Sequence, residues 1–542
     1  MSTIIGIISK KKKIQEGLLE MMVSKLPDRN LNFYKEDYFQ IASTELLSET
    51  KQYAYCGRIR NSKEPYDLYK KNQSVDDFDG HFIFIDRSND TIKIYRDALG
   101  VEQFYYYFED DVLYFASEIK GLLCLKEKWT ITKDGILQVL ALLPALDMHK
   151  TPYENIHQLG AGEVLEFKDE ITIKQWWTIK KEKVNKSHKE IVEDIYKILS
   201  QSILLDYDDH LACLLSGGLD SSIITSLIAS KYPTNTYDVT YEHQEKDFKP
   251  SSYQTSLDTP YIEAMIEKYK LNHKTICLSQ KDLSRYLDEV LILRDLPGMV
   301  DIDSSLFLFI ASIKDDHTVI LSGECADELG GGYPWYRQKE LQDTPYFPWT
   351  RHVENKNDLL LDQFDICSYI KEKKQFLEKE SMKNQMMDLT TKWFMQTLIK
   401  RGDVISRACH VDIRMPFASK KLYEYLWNLD EDDYGRDKQL FKEAFKDLLP
   451  DIIYQRKKNP YPKTHSPIYL EQVTLLLEEA LKDDTSILYR LFKKDKLEAL
   501  IHTKGASFTY PWYGQLMTGP QLIAFLYTIH QWEKLYPLKL DF

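Results

Sequence analysis

The chain lacks the means for a disulfide or zinc framework. Its seven cysteines (Cys56, Cys124, Cys213, Cys277, Cys325, Cys367 and Cys409) are an odd number scattered without a CxxC pair, which suits reduced thiols in a cytoplasm. Long hydrophobic runs are also missing. The longest nearly unbroken one, Ile136 to Leu146, is about half of what a bilayer-spanning helix requires. The start MSTIIGIISKKKK places its charges after a very short apolar segment, so neither a membrane span nor a signal peptide is expected. Positive charge is in deficit: 71 Lys+Arg against 84 Asp+Glu leave a net charge of −13, which argues against a nucleic-acid or anionic-membrane binder. Any phosphate in the chemistry must be gripped locally. Core material is ample, with 43% apolar and 13% aromatic residues in 542, enough for two to four domains at roughly 100 to 200 residues each. A soluble cytoplasmic protein is expected.

Up to about Lys180 the apolar residues come in short β-rich runs such as HFIFIDRSND, TIKIYRD and QFYYYFEDDVLYFASE. The alternation from Thr91 to Tyr95, preceded by Ser88-Asn89-Asp90, reads as strands joined by hairpins. The lysine-rich stretch 180–190 has no apolar periodicity, and a domain boundary is placed there. Downstream, short apolar strands alternate with helical segments: LACLL then SSIITSLIAS, TYDVTY then YIEAMIEKYK, and SSLFLFIASIKD before HTVILS. That alternation predicts a doubly wound parallel sheet with helices on both faces. Beyond about residue 340 the chain reads as predominantly helical, without a repeat.

Two segments carry the chemistry. In LACLLSGGLDSSIITSLIAS (211–230) an apolar strand ends at Leu215, a Ser-Gly-Gly loop follows, and a helix opens near Asp220. Its glycines permit close backbone approach, the hydroxyls of Ser216, Ser221 and Ser222 add donors, and the helix start supplies free amides. The loop lacks the lysine and spacing of the Walker type. A tight strand-to-helix turn of this kind also occurs in many α/β proteins with no ligand. The second segment, HTVILSGECADELGGGYPWY (317–336), again runs a strand into Ser322-Gly323, followed by Glu324, Asp327 and Glu328. Both loops then lie at carboxyl ends of strands, where ligands of open α/β sheets bind. Asp220 and Asp327 are thereby candidates to converge on Mg²⁺ bridging the phosphates of a nucleotide. A solvated acidic turn is the alternative.

These segments resemble the asparagine synthetase family, whose SGGLDSS motif stands unchanged at Ser216 to Ser222 and whose SGEGADELFGGY reads SGECADELGGGY at Ser322 to Tyr333. Further matches are HVDIRMPFASKKLYEY (410–425), GRDKQLFKEAFKDLLPDIIYQRKKNPY (435–461) and WYGQLMTGPQLIAFLY near the end. The resemblance implies an Ntn-type αββα sandwich over residues 1–180, a degenerate glutamine-amidotransferase-like domain. It is followed over 190–542 by a doubly wound ATP-pyrophosphatase domain with a helical C-terminal extension. It implies a carboxylate that attacks the α-phosphate of ATP, giving pyrophosphate and an acyl-adenylate that an amine captures, with Mg²⁺ held by Asp220 and Asp327. By the same resemblance Ser216, Gly217, Gly218, Leu219, Asp220, Ser221 and Ser222 bind ATP. Leu215, Val239, Ser322 and Gly323 surround adenine and ribose, and Lys458 stabilises charge on the α-phosphate and the tetrahedral intermediate. On composition alone, Arg456-Lys457-Lys458 reads as a solvated basic turn.

The family pattern fails near the N-terminus. Glutamine-using members expose a cysteine after Met1, whereas Ser2 stands here, and an alcohol is far less ionised near neutral pH than a thiol. The family's NGEIYN loop reads Cys56 to Asn61 as CGRIRN, and RGPD survives only as Leu26-Pro27-Asp28. Cys56, alone on a predicted strand, reads as a small packed residue. A sandwich without glutaminase activity is expected, so the amine must come from elsewhere. Relatives without the cysteine include enzymes that close an internal amide, and the leading expectation is macrolactam closure of a lasso-type peptide. The expected partners are then a precursor peptide or small-molecule carboxylate and a processing protease. Asparagine formation from aspartate and free ammonia is the alternative, and a non-catalytic scaffold, which has no need of two intact loops, the third. Gly330 in place of a Phe and Asp412 in place of a Glu are expected to enlarge the acceptor pocket.

Overall fold

The computed structural model of the chain describes residues 2–27, 30–45, 47–62, 65–72, 74–248, 256–374, 380–514 and 517–542; Asp28 lies outside the described residues. Two antiparallel sheets face each other in the first third. One has six strands in the order Ile156–Gln158, Tyr105–Glu109, Val112–Ala116, Ile4–Ser9, Phe39–Ser43, Asn32–Lys35. The other has five, in the order Ile171–Gln175, Glu163–Phe167, Ile92–Arg96, Gly80–Asp86, Tyr53–Ile59. Successive side chains of a strand point to opposite faces. Ile4 and Ile8 therefore enter the space between the sheets with Ile83, Ile85 and Phe104, while Ile5 and Ile7 turn outward against Leu19, Met22 and Val139 of two helices. On the second sheet Phe82 and Phe84 turn outward against Tyr69 of the helix Pro65–Asn72. The inner strands are thus largely buried on both faces, whereas the edge strands Asn32–Lys35 and Ile171–Gln175 are mostly exposed. Cys56 lies in the core between the sheets, and burial pushes its thiol pKa up.

The second sheet system has five parallel strands in the order Asn272–Leu278, Asn235–Tyr241, Leu211–Leu214, Val319–Leu321, Asp412–Arg414. Period-2 alternation again sets the layers. Leu211, Cys213 and Leu321 pack with Ile191, Ile195 and Ile223 on one face, and Ala212 and Ile320 with Phe309, Ile310 and Val404 on the other. The helix His188–Leu205 opens on a capping box in which the Ser187 hydroxyl accepts from the Glu190 amide and the Glu190 carboxylate from the Ser187 amide. Between Gln175 and Ser187 the chain has no helix or strand. From Leu211–Leu214 the chain moves outward through two strands, then returns to the other side at Val319–Leu321. The topological switch point therefore falls between the two strands that lead into the Ser216 and Ser322 loops.

Beyond residue 340 helices dominate, with two exceptions. Asp412–Arg414 forms the edge strand of the parallel sheet, and Leu538–Asp541 pairs in parallel with Trp129–Thr132. No helix is long and apolar enough to cross a membrane among the described residues. The two sheet systems are joined by polar contacts, of which the Arg60–Asp206 pair is buried. Arg60 grips Asp206 with two bonds of 2.9 and 2.7 Å, Arg58 approaches the same carboxylate at 3.3 Å, and Lys420 donates to the Asp76 and Phe78 carbonyls.

Candidate active site

The strand Leu211–Leu214 runs into a loop that only glycine at position 217 permits. Gly217 has φ +64°, and a Cβ there would lie 2.6 Å from the Cβ of Tyr261. Gly218 then caps the helix Leu219–Ala229, whose first amides have no carbonyl partner within the helix. The hydroxyls close the loop on itself: the Ser216 amide donates to Ser221 Oγ at 3.3 Å, Ser221 donates to the Gly218 carbonyl at 3.2 Å, and the Gly218 amide donates to Ser216 Oγ at 3.4 Å. The second loop touches the first at Gly323, where a Cβ would stand 3.0 Å from both Asp220 Cβ and Ser221 N. Ser322 donates its amide to the Arg414 carbonyl, fixing that loop to the edge strand.

This contact brings Asp220 and Asp327 together across a lysine that sequence reasoning missed. Lys438, 7% exposed, places its ammonium 2.7 Å from both Asp220 oxygens and 2.7 Å from Asp327 Oδ1. Its backbone amide is anchored on the Gly330 carbonyl at 3.1 Å. Lys458 donates to the other oxygen of Asp327 and lies over the Tyr333 ring at 4.6 Å, its side chain one-third exposed. Burial disfavours the charged form of Asp327, but the two ammoniums outweigh it and hold its carboxyl below the usual range. Burial, joined by the Asp327 charge, raises the Asp220 pKa against the opposing pull of Lys438. Burial also opposes the charge on Lys438, but the two carboxylates prevail and raise its pKa. The signal in sequence is the segment 435–461, whose pattern includes this lysine.

Of the basic triplet, Arg456 and Lys458 are engaged and Lys457 is exposed. Arg456 donates to the Ser216 carbonyl at 3.0 Å, pairs with Asp258 and stacks on Tyr261 at 3.9 Å. The solvated-turn reading therefore fails for two of the three. Glu324 is held by Arg401 through one oxygen, and its other oxygen is buried without a partner among the described residues. Glu328 accepts from the Tyr333 hydroxyl at 2.6 Å, and burial together with the Asp327 charge pushes its pKa up to about 7.

Other expected residues are placed differently. Leu215 and Leu219 turn into the hydrophobic core, leaving only their backbone toward the crevice. Ser222 is fully buried, its hydroxyl without a partner among the described residues, so it adds no donor to the crevice; it sits on the inner face of its helix. Val239 lies half-buried on the neighbouring strand, beyond the register pair Leu214–Tyr237. Gly330 opens no space: a Cβ there would meet Phe441 Cε2 at 2.5 Å and Lys438 Cγ at 3.0 Å, so those side chains fill the volume. Nor does Asp412 widen this crevice, because it lines a different cavity, of about 280 Å³, between the sheet edge and the N-terminal sandwich.

That second cavity also contains Ser2, Gly57, Arg58, His81 and Glu102. Arg58 and Arg60, the cations in the former NGEIYN loop, are both paired with Asp206, which lines the same cavity. The Ser2 carbonyl accepts from Arg407 at 2.9 Å. Burial, followed by the Asp403 charge, pushes the Glu102 pKa up to about 8.

Two carboxylates, two ammoniums and a helix start meet at the switch point of a doubly wound sheet, the place where ligands of open α/β sheets bind. Residues 196–533 match the asparagine synthase family and residues 67–177 the glutamine amidotransferase domain. The chain is 35% identical over 497 residues to asparagine synthetase [glutamine-hydrolyzing] 3 of Bacillus subtilis, covering 86% of this chain and 81% of that one. It is 27% identical over 290 residues to a putative asparagine synthetase 2 of Methanocaldococcus jannaschii, covering 50% and 54%, and 23% identical over 459 residues to asparagine synthetase 1 of B. subtilis, covering 72% and 69%. The chain belongs to the asparagine synthase family, and it is an ATP-dependent ligase that forms C–N bonds.

Proposed function

We propose that the chain adenylates a carboxylate with ATP, releasing pyrophosphate, and passes the acyl group to an amine that it does not derive from glutamine. The observation that carries this reading is the cluster Asp220, Lys438, Asp327 and Lys458 where the two Ser-Gly loops meet. A carboxylate oxygen of the substrate attacks the α-phosphorus, and the bond to the departing pyrophosphate breaks. The amine nitrogen then attacks the acyl carbon, AMP leaves, and the nitrogen loses a proton. The first amides of the helix Leu219–Ala229 face the departing phosphates, and the Lys458 ammonium offsets charge that grows as the bond breaks.

Mg²⁺ fits the same place. Asp220 and Asp327 already converge on one positive charge, that of Lys438, which Mg²⁺ would have to displace. Two carboxylates with phosphate oxygens and water are an ordinary Mg²⁺ environment. Bound there, Mg²⁺ would neutralise charge on the phosphates.

For the nitrogen source, Ser2 in place of a cysteine and the arginines turned to Asp206 favour an amine supplied directly. Lasso-type macrolactam closure supplies it within the same peptide, where holding amine and acyl-adenylate together contributes several kcal/mol to lowering the barrier. A precursor peptide and its processing protease are the partners of that reading. Relatedness across most of the chain to asparagine synthetase 3 favours a second reading, asparagine from aspartate and ammonia. The test is pyrophosphate release by wild type, Asp220→Ala and Asp327→Ala, with aspartate plus ammonium and with candidate peptides. Release by wild type alone is expected, and product masses distinguish asparagine from a peptide that has lost one water. Equal rates in all three proteins refute the assignment of the carboxylates, and ADP as product refutes adenylation.

A further inference from the structure

A cavity of about 470 Å³ opens between the two sheet systems, away from the paired carboxylates. That volume lies in the range of small-molecule sites, roughly 300 to 1,000 Å³. Its walls are largely apolar: Leu99, Pro144, Leu146, Met148, Trp177 and Ile179 come from one half of the chain, and Tyr423 and Trp427 from the other.

One of its charged groups lacks a partner among the described residues. Each acid in the lining is already paired: Asp147 with Lys373 at 2.9 Å, Glu163 with His149 at 2.9 Å, Asp388 with Lys392 at 2.8 Å, and Glu380 with Lys181. Arg96 spends its donors on the carbonyls of Glu102, Leu159 and Gly100. Lys400 is different. It lines the cavity at 6% exposure, and its ammonium has no hydrogen bond or ion pair among the described residues, only the face of Tyr105 at 5.3 Å. The acids that influence it are committed elsewhere, Asp295 to Lys120 and Asp403 to Arg407. A buried cation without a partner is costly unless something supplies the missing charge. Burial, with Arg294 as a neighbouring like charge, pulls the Lys400 pKa down to about 7, as expected for an ammonium awaiting a counter-ion.

We propose that this cavity binds a small amphipathic carboxylate, with its apolar body against Leu99, Leu146, Met148 and Trp177 and its carboxylate on Lys400. One free ammonium matches one negative charge, whereas a dianionic phosphate would leave charge unmatched in a mostly apolar space. The site is independent of the adenylation reaction proposed above.

Octanoate is a suitable probe, titrated calorimetrically into the full chain beside octan-1-ol and octylamine. Wild type is expected to bind octanoate more tightly than the alcohol and to discriminate against the amine. Lys400→Met keeps the length of the side chain and removes its charge. It is expected to weaken octanoate about 10- to 100-fold while leaving the alcohol unchanged, since a hydrogen bond to a charged group accounts for that range. Lys400→Arg should keep the preference for octanoate. Because Lys400→Met removes a buried unpaired charge, it should melt no lower than wild type, so loss of binding will not reflect unfolding. Octanoate binding that is undetectable at millimolar concentration, equal to that of the alcohol, or unaffected by Lys400→Met overturns the proposal.

Discussion

Lys438→Met isolates what the ammonium between Asp220 and Asp327 does. In the wild type that ammonium lies 2.7 Å from three carboxylate oxygens and is only 7% exposed. At an effective dielectric constant near 20, a unit pair about 4 Å apart is worth about 4 kcal/mol. Breaking a buried pair by removing one partner costs about 3 to 5 kcal/mol, because the remaining charge is left buried. Here two carboxylates would face each other, so the upper half of that range is expected. Lys458 is one-third exposed, and its pair with Asp327 is screened, so its removal should cost at most about 1 kcal/mol. The assay is thermal melting of wild type, Lys438→Met and Lys458→Met, with and without millimolar Mg²⁺. Lys438→Met should melt several degrees lower without metal and recover most of the loss with it, because Mg²⁺ supplies charge between the same oxygens. Lys458→Met should melt close to wild type in both conditions. Unchanged melting of Lys438→Met without Mg²⁺, or a deficit that Mg²⁺ does not repair, would refute the idea that Asp220 and Asp327 form a cation site.

The remaining predictions concern turnover, glutamine and pH. Lys458→Met should lower kcat about 100- to 1000-fold with little change in the apparent affinity for ATP, as for loss of one preorganised donor, while the exposed Lys457→Met stays near wild type; similar activity of the two variants in a pyrophosphate assay would remove the catalytic role. Glutamate formation from glutamine should remain at background in wild type and Ser2→Ala alike, and a robust rate abolished by Ser2→Ala would show that the hydroxyl serves as nucleophile. Glu102 has its pKa raised from 4.5 to about 8 by burial and by Asp403, so between those values the folded chain keeps a proton that the unfolded chain has lost, and stability falls as pH rises through the window. Glu102→Gln should flatten the decline of melting temperature with pH there, and parallel curves for the two proteins would contradict the assignment.

Features decided by neighbours in the chain were legible in the amino-acid sequence. Leu211 to Ala229 reads as strand, glycine loop and helix because a β-rich run, the conformational freedom of Gly217 and a helical segment act over a few residues. The alternation of strands and helices gave the parallel sheet for the same reason, and motif resemblance singled out Asp220, Asp327 and Lys458. Tertiary structure decided which charges meet. Lys438 reaches Asp220 across 218 residues of chain, Arg456 reaches Ser216 across 240, and Arg60 reaches Asp206 across 146. No local pattern encodes such pairs, since any lysine or arginine in a polar segment reads as solvated until packing removes the water. Packing also turned Ser222 inward, filled the space beside Gly330 with Phe441 and Lys438, and left the Lys400 ammonium without a hydrogen bond or ion pair among the described residues. The edge strand Asp412–Arg414 was hidden for a related reason: three residues carry too little periodicity to be read alone, and they become a strand only because Val319–Leu321 offers them unpaired backbone groups.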